Sequence, residues 1–436
     1  FGQLHREMKS MTPAVFRRAY LGKGHGGQRR AFKVKFLGEG VDDYGGPYRA
    51  VFDQVVEELQ GDALAIERAV AGHGANASAE SLSGNVAPGR CILPVLIPTP
   101  NRANSVGTNQ DRFLFAPGPA SSLQLDLANF LGKMIGMGMR HGLKMGLDLP
   151  GVVWYPLVGQ ELSLGHLEQV DAMASRLLRH VAGHAAGKPN VDSLNVATSV
   201  VQGDGMDSWL DELTFITYLS DGTQVPLMPN GARTLLQDPE APQGSSSPQT
   251  YIHSVALTRL RESLPMLQFL FTGMSSVLPT ELLPLFTPTE IERLVCGVRN
   301  VDVNLLKQCT EYEDVEPDAP HVVAFWEVLE EFQPEERAQF LKFVWARSRL
   351  PISASDFPMN FKLQGAQGGA KESPDSWLPH AQTCFFSLAL PTLVRVDVVL
   401  LLVGGPWSCA QAATAMCKLC RGSVYRAVYC IGCIAV

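Results

Sequence analysis

Apolar residues recur at helical spacing through most of this chain and alternate in a few short stretches. Ala31-Phe32-Lys33-Val34-Lys35-Phe36 alternates apolar and basic, which predicts a strand with one buried face. A turn-rich loop, Gly38 to Gly46, follows. Tyr48, Val51, Phe52, Val55 and Val56 then fall on one side of a predicted helix. Cys91 to Pro100 reads as an apolar strand and a turn. Leu123 to Leu147 is a long helical pattern rich in Gly and Met. Its glycines recur every fourth residue (Gly132, Gly136), a spacing that lets helices pack closely, and its methionines read as core filler.

Asp211 to Gly231 predicts two short strands around the turn Ser220-Asp221-Gly222. Tyr251 to Phe271 has the periodicity of one amphipathic helix, with Phe269 and Phe271 read as core ahead of partner contacts. A helix start follows, with Thr287 as N-cap, Pro288 in the first turn and Glu290 closing a capping box. Phe325 to Leu329 and Glu335 to Trp345 predict two further helices. Phe325, Leu329, Phe332, Phe340, Leu341, Val344, Phe361 and Leu363 would share one small core. Phe385 to Leu390, bounded by Pro391, reads as a buried strand of about five or six residues.

Composition narrows the class. The 436 residues allow two or three domains, and 46% hydrophobic with 18% charged residues is a globular balance. Net charge is −7 and there is no long basic run, so no nucleic-acid partner is expected. The apolar run Val398 to Val403 is far short of the ~20 residues that span a bilayer, and no signal peptide opens the chain, so no membrane partner is expected either. The first residue is Phe1 rather than Met, from which a fragment lacking upstream sequence is expected. The nine cysteines are scattered or crowded at the end, an odd set that fits a reducing, cytoplasmic setting better than a disulfide framework.

Three stretches hold candidate chemistry. Gly22-Lys23-Gly24-His25-Gly26-Gly27 lacks the spacing of a phosphate loop and reads as a surface loop. The pair Asp42 and Asp43 reads as loop-forming and capping. The third is Leu378-Pro379-His380-Ala381-Gln382-Thr383-Cys384-Phe385-Phe386. A cysteine where a polar loop enters a buried strand is accessible yet rigidly held, as a reactive thiol needs. A lone cysteine is more often an inert small hydrophobe.

That third stretch resembles the active-site signature of HECT-type ubiquitin ligases, and the resemblance runs upstream. It takes in Gly38-Glu39-Gly40 through Arg49, Phe130-Leu131-Gly132 through Gly136, Leu149-Pro150 through Leu162, Phe325-Trp326-Glu327-Val328 and Glu335-Glu336-Arg337 through Val344. It covers about residues 31–391 and is nearest in wording to the large HERC group. It implies an α+β, bilobal domain. A mainly helical N-lobe would occupy 1–304, with a small subdomain at about 211–273 that grips the E2 enzyme. A hinge at 305–316 would lead to a smaller α/β C-lobe at 317–391 carrying the cysteine.

The implied activity is that of an E3 ubiquitin-protein ligase. Cys384 would take ubiquitin from a charged E2 as a thioester and pass it to a lysine of a protein substrate. No cofactor or metal is implied. A thiolate is a strong nucleophile, so no dedicated base is obligatory. Thr383 would either donate to the developing oxyanion or hold the loop. His380 would tune the thiol, deprotonate the incoming lysine, or serve as a surface residue.

After Pro391 the resemblance stops. Residues 392–436 contain almost no acidic side chain besides Asp397 and no recognisable amphipathic helix. Three readings stand for this tail: sequence that is not native to the protein, a divergent or disordered natural end, or a zinc site at Cys417, Cys420, Cys430 and Cys433. An incomplete C-lobe would favour the alternative function, a catalytically weak scaffold that binds E2.

Overall fold

The computed structural model describes residues 1–22, 28–35, 43–61, 91–185, 212–236, 247–365 and 379–390. The glycine-rich loop 23–27, Asp42 and the tail with the four cysteines of the expected zinc site lie outside them. Among the described residues, helices alternate with short strands. In order they are α1 Gly2–Met8, α2 Pro13–Phe16, α3 Gly46–Gln60, β1 Leu96–Pro98, α4 Pro100–Ala103, β2 Phe113–Phe115 and α5 Ser122–His141. Then come α6 Gly151–Leu157, α7 Leu164–Val170, α8 Ala172–Ala185, β3 Ile216–Tyr218, β4 Gln224–Pro226, α9 Pro248–Arg261, α10 Leu264–Ser275 and α11 Pro288–Cys296. The last are α12 Val303–Gln308, β5 Thr310–Glu313, α13 Pro320–Glu331, α14 Pro334–Trp345, β6 Phe361–Gly365, β7 His380–Gln382 and β8 Ser387–Leu390. Helices and sheets are both present, as an α+β chain requires.

These elements form two compact units. The first comprises Phe1–Arg17, Gln54–Met137 and Leu147–Glu292. The second comprises Arg18–Asp53, Gly138–Gly146 and the described residues from Arg293 on. Residues 18–53 and 138–146 group with the later part of the chain. Residues 305–316, expected as a hinge, contain the end of α12 and all of β5.

In the first unit, α5 and α10 meet through glycines. A methyl on Gly273 would collide with the Asn129 carbonyl oxygen, and one on Gly132 with the Leu270 carbonyl oxygen. A methyl on Gly136 would lie 2.9 Å from Val277 Cβ. Gly132 and Gly273 thus bring backbone onto backbone, while Gly136 makes room for the Val277 side chain. The β3–β4 hairpin turns at Asp221-Gly222, where Gly222 has φ +83. It is tied to α9 by Tyr251, which stacks edge-on against Phe215 at 5.7 Å. Arg259 reinforces the tie. It pairs with Asp171 at 2.8 Å and Glu262 at 3.1 Å, and donates to Ser220 Oγ at 3.1 Å. Burial pushes the Glu262 carboxyl up, against the opposing pull of Arg259 and Ser220.

Two expectations fail here. The helix predicted over Tyr251–Phe271 is two helices, α9 and α10. Pro265 has no amide hydrogen to donate to the Arg261 carbonyl, so the helical ladder is interrupted there and Pro265 sits in the first turn of α10. Ser263 takes the N-cap position and its hydroxyl donates to the Phe115 carbonyl at 2.7 Å. The break also resets the faces. Met266, Leu267, Leu270, Gly273 and Met274 turn inward, which leaves Phe269 43% and Phe271 37% exposed rather than in the core.

In the second unit, a four-stranded sheet runs in the order β5-β6-β8-β7. β5, β6 and β8 are parallel, and β7 closes the edge antiparallel to β8. Phe361, Leu363, Leu388 and Leu390 meet Phe325, Leu329, Phe340, Leu341 and Val344 of α13 and α14 in one core. All eight residues expected for that core belong to it. At the start of α11, which belongs to the first unit, the Thr287 amide donates to the Glu290 carboxylate at 2.8 Å and the Glu290 amide to the Thr287 hydroxyl at 3.2 Å, the reciprocal capping box.

The strand expected over Ala31–Phe36 is absent. Ala31 to Lys35 is irregular, and Phe36 lies outside the described residues. Side chains take the backbone groups a sheet partner would otherwise satisfy. The Ala31 amide donates to the Tyr48 hydroxyl at 3.3 Å, and the Val34 amide to Asp43 Oδ2 at 3.0 Å.

Candidate active site

Cys384 sits in a one-turn 3-10 helix, Thr383–Phe385, that joins β7 to β8. The register Gln382↔Ser387 leaves four residues to make the connection. Phe386 makes it possible. It has a left-handed backbone (φ 48, ψ 52), a conformation that costs a non-glycine residue roughly 1 kcal/mol or more. Its ring is fully buried, stacked on Trp345 at 4.1 Å and 9° and tilted against Phe361 at 5.0 Å. This shortens the predicted strand. β8 starts at Ser387, and Phe385, expected inside it, is 48% exposed.

The Cys384 thiol is half-buried, while Cys91, Cys296 and Cys309 are buried. Burial pushes the Cys309 thiol up, away from thiolate chemistry. Thr383 is half-buried beside Cys384. His380 is exposed in β7, opposite Ala389. It lies three positions before Thr383, about 10 Å along an extended strand.

The second face of the turn is the start of α3. Asp43 is buried and organises this start. Its carboxylate accepts from the Gly45 amide at 2.8 Å and pairs with Arg30 at 2.9 Å. Asp43 is therefore structural, consistent with its expected loop-forming part. Gly45 has φ +109, which favours glycine. At Gly46 the space a side chain would need is occupied. A Cβ there would lie 2.8 Å from Thr383 Oγ1 and 3.0 Å from Cys384 Sγ.

One turn on, buried Arg49 donates through Nη2 to the Thr383 carbonyl at 2.6 Å and through Nε to the Trp345 carbonyl at 3.3 Å. Burial draws the Arg49 guanidinium down to about 10, opposed by Cys384 and Asp43, so it stays charged at neutral pH. Arg347 is also buried. Its guanidinium stacks 4.2 Å over the Trp345 ring and donates to Gln28 Oε1 at 3.1 Å and the Gly142 carbonyl at 3.3 Å. Burial and Arg49 hold it well below its ordinary value. Of the two, Arg49 is the one that interacts electrostatically with Cys384.

Sequence reasoning singled out Cys384, Thr383 and His380. The structure sets the first two against Gly46 and Arg49, which it had read only as architecture. The one available signal was an arginine in the first turn of a helix that opens on paired glycines.

His141 braces α3 from the other side. Its Nε2 lies 2.7 Å from the Arg18 carbonyl, which can only accept, so Nε2 carries the proton. Nδ1 then accepts from the Tyr48 hydroxyl at 3.0 Å. Burial lowers the His141 pKa, and Arg140 and Arg29 lower it further. The neutral ring is therefore favoured in the fold. Between the folded value and the unfolded one of ~6.5, the unfolded chain binds the proton first. Stability should fall as the pH drops from about 6.5, and level off below the folded value. Denaturant midpoints between about pH 7.5 and about pH 5.5 would show this slope, and His141→Gln should flatten it.

Among the described residues, no group of three or more His, Cys, Asp or Glu side chains could hold a metal ion. No helix among them is long and apolar enough to cross a membrane.

Comparison with known proteins gives this geometry its setting. The family model described as HECT-domain (ubiquitin-transferase) matches residues 96–398. The match begins well after residue 31, where the resemblance was expected to start, and passes residue 391, where it was expected to end. E3 ubiquitin-protein ligase HERC2 of Mus musculus is 30% identical over 392 residues, 90% of this chain. The Homo sapiens protein of the same name matches equally, at 30% over 90% of the chain. Probable E3 ubiquitin-protein ligase HECTD4 of Homo sapiens is 25% identical over 85% of the chain. The chain spans only 7% of the length of the two HERC2 relatives and 9% of HECTD4. With a family model matched over more than half of its residues, among them the turn that carries Cys384, this chain belongs to the HECT-domain (ubiquitin-transferase) family.

Proposed function

We propose that this chain acts as an E3 ubiquitin-protein ligase that carries ubiquitin on Cys384. The observation behind this reading is a half-buried thiol on a turn locked between two strands and the start of α3, in a chain of the ubiquitin-transferase family. The thiolate of Cys384 attacks the thioester carbonyl that joins ubiquitin to E2. The E2 thiol leaves and a new thioester forms. A substrate lysine amine then attacks that carbonyl, an isopeptide bond forms, and the Cys384 thiol is released. One thioester replaces another in the first step, so positioning governs its rate more than driving force does.

Thr383 belongs to the same turn and either holds it or donates to the oxyanion. His380 is a surface-strand residue within reach of an approaching lysine. The partners are ubiquitin, a charged E2 and protein substrates. The hairpin-and-helix part at about 211–273 is the E2-gripping element, with exposed Phe269 and Phe271 as contacts. The four cysteines among the described residues are thiols rather than disulfides, which fits a reducing, cytoplasmic setting. The test is a non-reducing gel of this chain with ubiquitin, E1 and a panel of charged E2 enzymes. A ubiquitin adduct removed by added thiol is expected. Its absence with every E2 would refute the reading.

A further inference from the structure

We infer that Arg49 is a positioning residue for Cys384, and that Gly46 is the space that lets it act. The inference rests on the ligase reading for its rate consequences, but its geometry stands alone. Arg49 grips the turn on both sides of the thiol. Before Cys384, Nη2 holds the Thr383 carbonyl at 2.6 Å. After it, Nε reaches the carbonyl of Trp345, whose ring stacks on Phe386 at 4.1 Å.

The grip has something to restrain. Phe386 holds a left-handed backbone, so the turn stores strain that would relax if either side were released. Gly46 sets the distance of approach, since Thr383 Oγ1 and Cys384 Sγ fill the place of its missing Cβ. A rigid guanidinium donating two hydrogen bonds in different directions suits this task, and a lysine ammonium could keep only one of the two. Arg49 need not touch ubiquitin. It acts through the Thr383 carbonyl by fixing where Sγ points.

The test uses the full chain as wild type, Arg49→Ala, Arg49→Lys and Gly46→Ala. Two quantities are read: the single-turnover rate of Cys384 loading from a ubiquitin-charged E2, and amide hydrogen exchange in the peptide covering Thr383 to Ser387. Melting curves report whether each variant folds. Arg49→Ala should load at least about tenfold slower, within the ~100-fold that misplacing a reacting group by an ångström can cost. Saturating E2 should not restore the rate, and exchange should quicken in this peptide and not throughout the chain. Arg49→Lys should recover part of the loss. Gly46→Ala leaves Arg49 in place but pushes on the turn, and it should slow loading as well. It decides the matter if Arg49→Ala fails to fold.

Folded variants that load at the wild-type rate or faster overturn the inference. If wild type itself does not load, the ligase reading fails and exchange alone decides. Unchanged exchange in the Thr383–Ser387 peptide of Arg49→Ala would then overturn the hold on the turn.

Discussion

Cys384→Ala is expected to abolish the thiol-sensitive ubiquitin adduct, a loss of more than about a thousandfold in loading, because the reaction has no other route without its nucleophile. The other described cysteines cannot substitute. Cys91, Cys296 and Cys309 are buried, and burial pushes the Cys309 thiol away from its thiolate. Cys309→Ala should therefore load as wild type does. Cys384→Ser sharpens the result. A hydroxyl in the same turn is a far weaker nucleophile, and any adduct it formed would be an oxygen ester that resists added thiol. The check is the same non-reducing gel, with and without reductant. An adduct of wild-type intensity on Cys384→Ala would move the thioester to a different cysteine and remove the basis for the proposed function.

Gly273→Ala should destabilise the fold by about 3 kcal/mol, the upper part of the range for forcing extra atoms into a packed interior. The methyl would collide with the Asn129 carbonyl oxygen, which is helix backbone and cannot swing aside as a side chain would. α5 and α10 must separate, and the separation opens gaps around Met134, Leu270 and Met274. Gly132→Ala meets the Leu270 carbonyl oxygen in the same way and should cost a similar amount. The two glycines serve one crossing, so the double variant should cost less than the sum, because the helices need to part only once. Gly2→Ala is the control. Nothing lies within 4 Å of the added methyl, and alanine suits a helix. Denaturant unfolding of the three single variants measures the differences. An unchanged midpoint for Gly273→Ala would mean that α5 and α10 do not cross as closely as described.

What could be read in the sequence was whatever local periodicity encodes. The sheet core around Phe325, Phe340 and Phe361 follows from apolar spacing on two helices and one strand. The capping box at Thr287 and Glu290 follows from a four-residue signature, and the β3–β4 turn from Asp221-Gly222. The misreadings share a cause. Ala31 to Lys35 alternates like a strand, but its amides are taken by Tyr48 and Asp43, side chains that lie later in the chain. The Tyr251–Phe271 periodicity runs through Pro265 without a break in apolar content, so the split and the exposure of Phe269 and Phe271 were hidden. Phe386 reads as the second residue of an apolar run. Only its burial between Trp345 and Phe361 explains why it bends left-handed and ends the turn.

The sequence by itself determined the family, the core of the sheet and the cysteine on which the chemistry is proposed, because these rest on short signatures and on the period of apolar residues. The tertiary structure alone decided what surrounds that cysteine. Gly46 and Arg49 precede Cys384 by more than three hundred positions. No local pattern links residues so far apart; a carbonyl 2.6 Å from a buried guanidinium, and a thiol in the space of a missing side chain, exist only once the chain has folded.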